Sequence, residues 1–163
     1  MDLSASETYP AGLATTFALV TDGEVSVARY AAGGHEQVEL LSSEADGDDW
    51  VIRTRSEVTV DLPGFAAKVL QPTNTIEQTH RWGPERDGVH EGRFEVETKG
   101  APVKTGGTMR LETQPDGSTK HSIDASLKIK VPLIGGKIES WGKDDFQSQL
   151  DHELAYNKAR LSR

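Results

Sequence analysis

Histidine changes charge near neutral pH and can serve as donor, acceptor, base or metal ligand. In this chain His80, His90 and His121 fall on the apolar side of stretches that alternate between apolar and polar residues. His80 lies mid-stretch beside Trp82, which makes it the foremost candidate for orienting a ligand or acting as a general base. His121 is a further candidate for the cavity lining, although it and His90 each lie close to a turn signal, where water or a backbone hydrogen bond would account for them. Thr54, Ser56 and Gln78 share the inward side and complete a polar set able to bind a carbonyl, hydroxyl or carboxylate. Around them stand Phe94, Met109 and Trp82, with Ile52, Val96, Leu111, Ile123 and Leu127. An apolar lining with a few convergent polar groups is the usual make-up of a small-molecule pocket.

Other chemistry fits less well. The three histidines sit on three different strands without a carboxylate on the same side, so no metal site is expected. Ser56 and His80 fall on adjacent strands, but nothing marks Ser56 as an activated nucleophile. There is no cysteine, which excludes disulfides and thiolate chemistry. No glycine-rich loop follows a strand and opens a helix. Gly106-Gly107 lies within a strand, where glycine allows a bulge or a close approach. No cofactor is expected. A net charge of −8 argues against nucleic acid as a partner and is read as solubility. The first residues lack a basic stretch followed by an apolar run, and no segment is apolar enough to span a bilayer. The expectation is therefore a cytoplasmic protein of one domain, residues 1–163, without stable membrane insertion. Its oligomeric state is left open.

The elements that position these residues follow from periodicity. Leu3 to Tyr9 predicts a first strand. Leu13, Phe17 and Val20 repeat at helical spacing, with Pro10 in a first turn, and Glu24 to Ala32 forms a second helix stopped by Gly33-Gly34. From His35 the period becomes two. Val38 and Leu40 alternate with Gln37 and Glu39, and Trp50, Ile52, Thr54, Ser56, Val58 and Val60 share a side opposite Arg53 and Arg55. Leu62 to Leu70 interrupts with a short helix or lid-like loop. Strands resume at Asn74–Trp82, around His90–Thr98 and Val103–Leu111, and at His121–Val131. Gln114-Pro115-Asp116-Gly117-Ser118 predicts a three-residue hairpin loop, with proline opening a type I turn and glycine in the left-handed position. That loop sets Leu111 across from His121 and Met109 across from Ile123. Gly107 falls across from Phe94. A two-residue loop would mix the sides and is rejected.

Pro132 to Arg163 predicts the long helix. Ile134, Ile138 and Trp141 form one stripe, which carried forward reaches Asp145, Ser148 and His152. Phe146, Leu150, Leu154 and Leu161 form a second, displaced by more than a quarter turn, with Gly142 at the change. Without rotation at Gly142, Asp145 joins Trp141 at the cavity wall. With rotation, Asp145 is solvated. Gly135-Gly136 is read as close packing at a tight turn rather than as a gate.

Strand, two short helices, a meander of strands and a long final helix is the order of the α+β helix-grip fold. The chain resembles the START-like superfamily, which includes polyketide cyclases and birch-pollen-allergen relatives. Through Val131-Pro132-Leu133-Ile134-Gly135-Gly136-Lys137-Ile138-Glu139 and Leu62-Pro63-Gly64-Phe65 it is similar to the bacterial family called domain of unknown function 2505. The resemblance implies a curved antiparallel sheet of about seven strands wrapped around the last helix, with a cavity between them for an apolar or amphipathic ligand. It implies no catalytic residues. Together these observations favour a binding or carrier protein for a hydrophobic or amphipathic small molecule, lipid-like or polyketide-like. The alternatives are a cyclase- or dehydratase-like enzyme using His80 and a nearby acid, and a protein-interaction module with a filled core.

Overall fold

A computed structural model describes residues 1–163. The chain runs β1 (Asp2–Tyr9), α1 (Leu13–Val20), α2 (Gly23–Ala32), β2 (Glu36–Asp46), β3 (Asp49–Thr59), α3 (Gly64–Ala67), β4 (Thr73–Trp82), β5 (Val89–Thr98), β6 (Val103–Thr113), β7 (Thr119–Ile129) and α4 (Gly135–Leu161). The strands form one seven-stranded sheet in the order β1-β7-β6-β5-β4-β3-β2, antiparallel throughout. β2 to β7 form a meander, and β1 closes the edge against β7. The sheet curves around α4, as in the helix-grip fold.

The register matches the alternation. Leu111 pairs with His121, Met109 with Ile123, and Phe94 with Gly107. The Gln114 N–H donates to the Ser118 carbonyl at 2.8 Å across the predicted loop, and Gly117 adopts φ 88°. β7 is the clearest case: every second residue from Thr119 to Ile129 is buried. The other side carries Arg53, Arg55, Arg81 and Arg110, each ion-paired with an acidic neighbour. Gly107 has a steric reason to be glycine. A Cβ there would run into the Asp124 carbonyl and Ala125 of β7, so glycine permits the close approach of two backbones.

Three expectations need correction. Pro10 lies outside α1, which begins at Leu13 after Gly12. Strand β2 does not alternate cleanly: its register shifts between Glu36 and Glu39 and again between Leu40 and Ser42, Gln37 takes φ 49°, and Leu40 ends up exposed. The bulges turn its apolar residues off a single side. α4 begins at Gly135 rather than Pro132, after Leu133 at φ 72°. A Cβ on Gly135 would sit 2.5 Å from the Ile129 carbonyl, which agrees with close packing at a tight turn.

The interior has two parts. The main core gathers Leu3, Tyr9, Leu13, Val20, Trp82, Phe94, Met109, Leu111, Ile123, Ala125, Leu150 and Leu154. A satellite at the opposite end consists of Ala66, Ile129 and Ile138, bordered by Leu62, Phe65, Val69, Leu70, Val103, Val131 and Ile134. α4 links them. Its buried residues move from Ile138 to Leu150, Leu154 and Asn157. At about 100° per residue the buried stripe swings by about a third of a turn.

Candidate functional site

The residues expected to line one cavity fall into three groups. Gln78, His80, Phe94 and Met109 do line a cavity, with Val96, Ile123, Phe146, Gln149, Leu150 and Glu153. Its walls are apolar and its polar groups converge from β4 and α4. Its volume is ≈ 40 Å³, room for roughly two or three waters. Larger depressions, up to ≈ 400 Å³ beside Asp49, Arg86, Glu91 and Arg110, lie open on the charged outer side of the sheet. They lack the apolar enclosure of a small-molecule pocket.

Thr54, Ser56, Trp82 and His121 are buried but stand away from this cavity. Ser56 meets His35 rather than His80, Oγ to Nδ1 at 2.8 Å. Trp82 is core: Phe17 meets its ring edge-on at 6.2 Å, and a Cβ on Gly92 would strike the indole at 2.8 Å. His90 bonds the Gly83 carbonyl through Nδ1 at 2.9 Å and stacks on Phe17. Asp145 and Trp141 are corrections. Both are exposed, Trp141 at 37%, because the buried stripe rotates before it reaches them. The acid that shares the cavity with His80 is Glu153.

Behind the cavity lies a polar network that strand periodicity could not reveal. Arg29 of α2 is buried. Its Nη1 donates to Asn157 Oδ1 at 2.9 Å and its Nη2 to Ser26 Oγ at 3.3 Å, while Nε has no partner. Arginine only donates, so Asn157 must present its oxygen to it and its amide elsewhere. That amide donates to Tyr9 Oη at 3.3 Å. The Tyr9 hydroxyl is then free to donate to His121 Nδ1, 2.8 Å away. The His121 proton consequently sits on Nε2, which is buried without a partner. A second branch joins Tyr30 Oη to His80 Nε2 at 3.1 Å. The sequence held one signal of this: Arg29 follows Val25 by one helical turn on the buried side of α2.

Burial and the positive charge of Arg29 act together on the histidines. Both push His80 down to about 3, burial being the larger cause. His121 is also pushed to about 3, by burial, by Arg29 and by His80. Both rings are neutral at pH 7. They orient hydrogen bonds, and a base this weak gains little from a proton at neutral pH, so His80 does not fit a general base. Burial raises the Glu153 carboxyl, opposed by Arg29. Glu153 faces the cavity and forms no ion pair with Arg29. Tyr9 and Tyr30 are raised by burial and stay protonated. No group of three or more His, Cys, Asp or Glu is arranged to hold a metal ion.

Comparison with known proteins bears on fold and family. TTHA0849 from Thermus thermophilus superposes with a TM-score of 0.70 at 15% identity, covering 99% of this chain and 97% of that one. A START superfamily protein from Mycobacterium smegmatis gives 0.60 at 13% identity, covering 99% and 97%. Human STARD10 gives 0.61 at 10% identity, covering 96% of this chain and 62% of that one. These likenesses establish a START-like fold. Uncharacterized protein Rv0481c of Mycobacterium tuberculosis is 25% identical over 95 residues, 58% of this chain and 55% of the relative. The match thus spans little more than half the length of that relative. The model of the protein family of unknown function DUF2505 matches residues 4–161, and the chain belongs to that family.

Proposed function

We propose that this protein binds a small amphipathic molecule between the sheet and α4. The apolar part would lie against Phe94, Val96, Met109, Ile123, Phe146 and Leu150, and the polar end against Gln78, His80, Gln149 and Glu153. The observation that carries this reading is the convergence of those four polar side chains on one apolar-walled cavity. The cavity as it stands has room for only a few waters, so a ligand must displace side chains on admission. Phe146 is partly buried and belongs to the helix stretch where the packing rotates, which makes it the natural gate. Neutral His80 supplies either a donor or an acceptor. Glu153 disfavours a second negative charge beside it, so the polar end is an alcohol, carbonyl, amide or amine.

The test is native mass spectrometry of protein purified from its own host, alongside a Val96→Phe variant that fills the cavity. The expected result is a retained small molecule on the wild type and none on the variant, with both folded. A bare wild-type mass, joined to the absence of any thermal shift across a panel of amphipathic compounds, overturns the reading and favours an interaction module.

A second reading is proton-transfer catalysis of the cyclase or dehydratase kind. It is favoured by Glu153 and His80 sharing one cavity. Burial raises Glu153, which suits it to giving or taking the proton, with His80, itself held by Tyr30, orienting the substrate. Glu153→Gln separates the two readings: a binder keeps its ligand, whereas an enzyme loses turnover while still binding.

A further inference from the structure

The feature least explained by a ligand cavity is at the other end of the molecule. Leu133 is fully exposed, at 104% of its reference area, and its backbone takes φ 72°. A branched apolar residue held in the left-handed region, in water, is unfavourable on two counts. It lies between exposed Pro132 and partly buried Ile134, against the satellite cluster bordered by Leu62, Phe65, Val69 and Leu70.

Three chain segments meet there: residues 62–70, 99–104 and 130–138. They carry Lys68, Lys99, Lys104, Lys130 and Lys137 and not one Asp or Glu, in a chain with 26 acidic residues and a net charge of −8. The nearest acids are spoken for or set back. Glu139 pairs with the N-terminal ammonium at 3.2 Å, Asp61 precedes the first segment, and Lys99 is itself held by Glu97 at 3.1 Å and Glu77 at 3.5 Å, which leaves Lys68, Lys104, Lys130 and Lys137 without an ion pair. The Lys137 ammonium stands 4.2 Å from the centre of the Phe65 ring, so its charge is held at the apolar rim. The Lys130 N–H is tied to the Pro102 carbonyl at 2.8 Å, which fixes that segment against the 99–104 turn.

We propose that this end docks peripherally on an anionic lipid bilayer, with Leu133 entering the headgroup boundary and the lysines facing the lipid phosphates. An apolar point on segments that carry lysines and no acids complements a surface that is apolar beneath and negative above. No helix is long and apolar enough to cross a membrane. Each lysine near such a surface is worth roughly fivefold in partitioning, and the leucine roughly tenfold or more. Docking does not depend on the ligand reading, since none of these residues lines the cavity.

The test is co-sedimentation of the purified chain with vesicles of phosphatidylcholine alone and of phosphatidylcholine mixed with phosphatidylglycerol. The expected result is binding to the mixed vesicles at low ionic strength, release by high salt, and little binding to phosphatidylcholine. Leu133→Gly keeps the left-handed backbone at no steric cost and should bind at least about tenfold more weakly without a lower Tm. Lys130→Glu with Lys137→Glu should abolish the preference for phosphatidylglycerol. Wild-type protein that stays in the supernatant with mixed vesicles at low salt overturns the proposal, and so does full binding by Leu133→Gly. Concentration-dependent self-association that Leu133→Gly removes, without vesicle binding, assigns the tip to a second copy of the chain instead.

Discussion

The two ends of the molecule depart from ordinary packing in opposite senses. Around Arg29 a charged group is buried with tyrosine, histidine and asparagine, and water is excluded. Around Leu133 an apolar group is held out in water beside a small apolar cluster. The first arrangement costs desolvation and is tolerable only if nearly every donor and acceptor is matched. The second forgoes hydrophobic stabilisation the chain could have had. The contrast teaches where to look for each kind of partner: a small polar-ended ligand at the closed polar end, an extended surface at the open apolar end.

The contrast is broken most forcefully at Arg29. Arg29→Ala removes the donor to Asn157 and Ser26 and leaves Glu153 without the charge that opposes its burial. Urea unfolding should show a loss of about 3–5 kcal/mol. Arg29→Met, which keeps most of the apolar stem, should lose clearly less. A loss under about 1 kcal/mol for Arg29→Ala would mean that the polar end is solvated and the contrast unreal.

The apolar end predicts a smaller effect for a comparable deletion. Ile138 is fully buried, yet its neighbours are mostly half-exposed and free to close over a void. Ile138→Ala should cost about 2–3 kcal/mol, against about 4 kcal/mol for Leu154→Ala in the main core, where the walls are held on all sides. Equal losses would show that the satellite is as rigid as the rest and is no separate unit.

How these ends were written in the sequence differs too. The sheet was legible because a strand shows its inner side every second residue, and one hairpin, Pro115-Asp116-Gly117, locks the register of β6 and β7. The rotation of α4 was legible from the displacement between Ile138 and Leu150. What it did to Asp145 was not, because a helix pattern gives relative facing without saying which stripe meets the sheet at each turn. The polar network stayed hidden for the same reason. Arg29, Glu153 and Asn157 sit on two helices, and their convergence depends on how α2 and α4 cross. Strand β2 misled because bulges at Gln37 and after Leu40 cancel its period.

Titration separates the ends more finely. His80 and His121 have folded pKa values near 3, below the ordinary 6.5. Between those values the unfolded chain binds more protons than the folded one, so stability rises with pH and is lost as pH falls from 6.5 toward 3. Each ring contributes at most about 1.4 kcal/mol per pH unit. Glu153 acts in the other direction, since its raised carboxyl stabilises the fold below 4.5 and that contribution is lost as pH rises through its folded value. His121→Gln should flatten the pH dependence of urea unfolding between pH 6 and pH 4 by about one such increment. An unchanged slope would show that water already reaches the ring. The apolar satellite holds no titratable group inside, so hydrogen exchange at pH 5 should open α2 before the first turns of α4.

The smallest effect carries the most weight for function. Leu133 at φ 72° holds strain of about 1–2 kcal/mol for an L-residue, and its side chain makes no packing contribution to lose. Glycine at this position removes the strain and adds back about 0.5–1 kcal/mol of unfolded-state freedom. Leu133→Gly should therefore be neutral or stabilising by about 0.5 kcal/mol, a rise in Tm of about 1–2 °C. A fall of several degrees would show that Leu133 is packed in solution, and the tip would then be ordinary core. A variant that is at least as stable, and that changes only what the protein adheres to, would show that the exposed leucine is retained for a contact outside the fold.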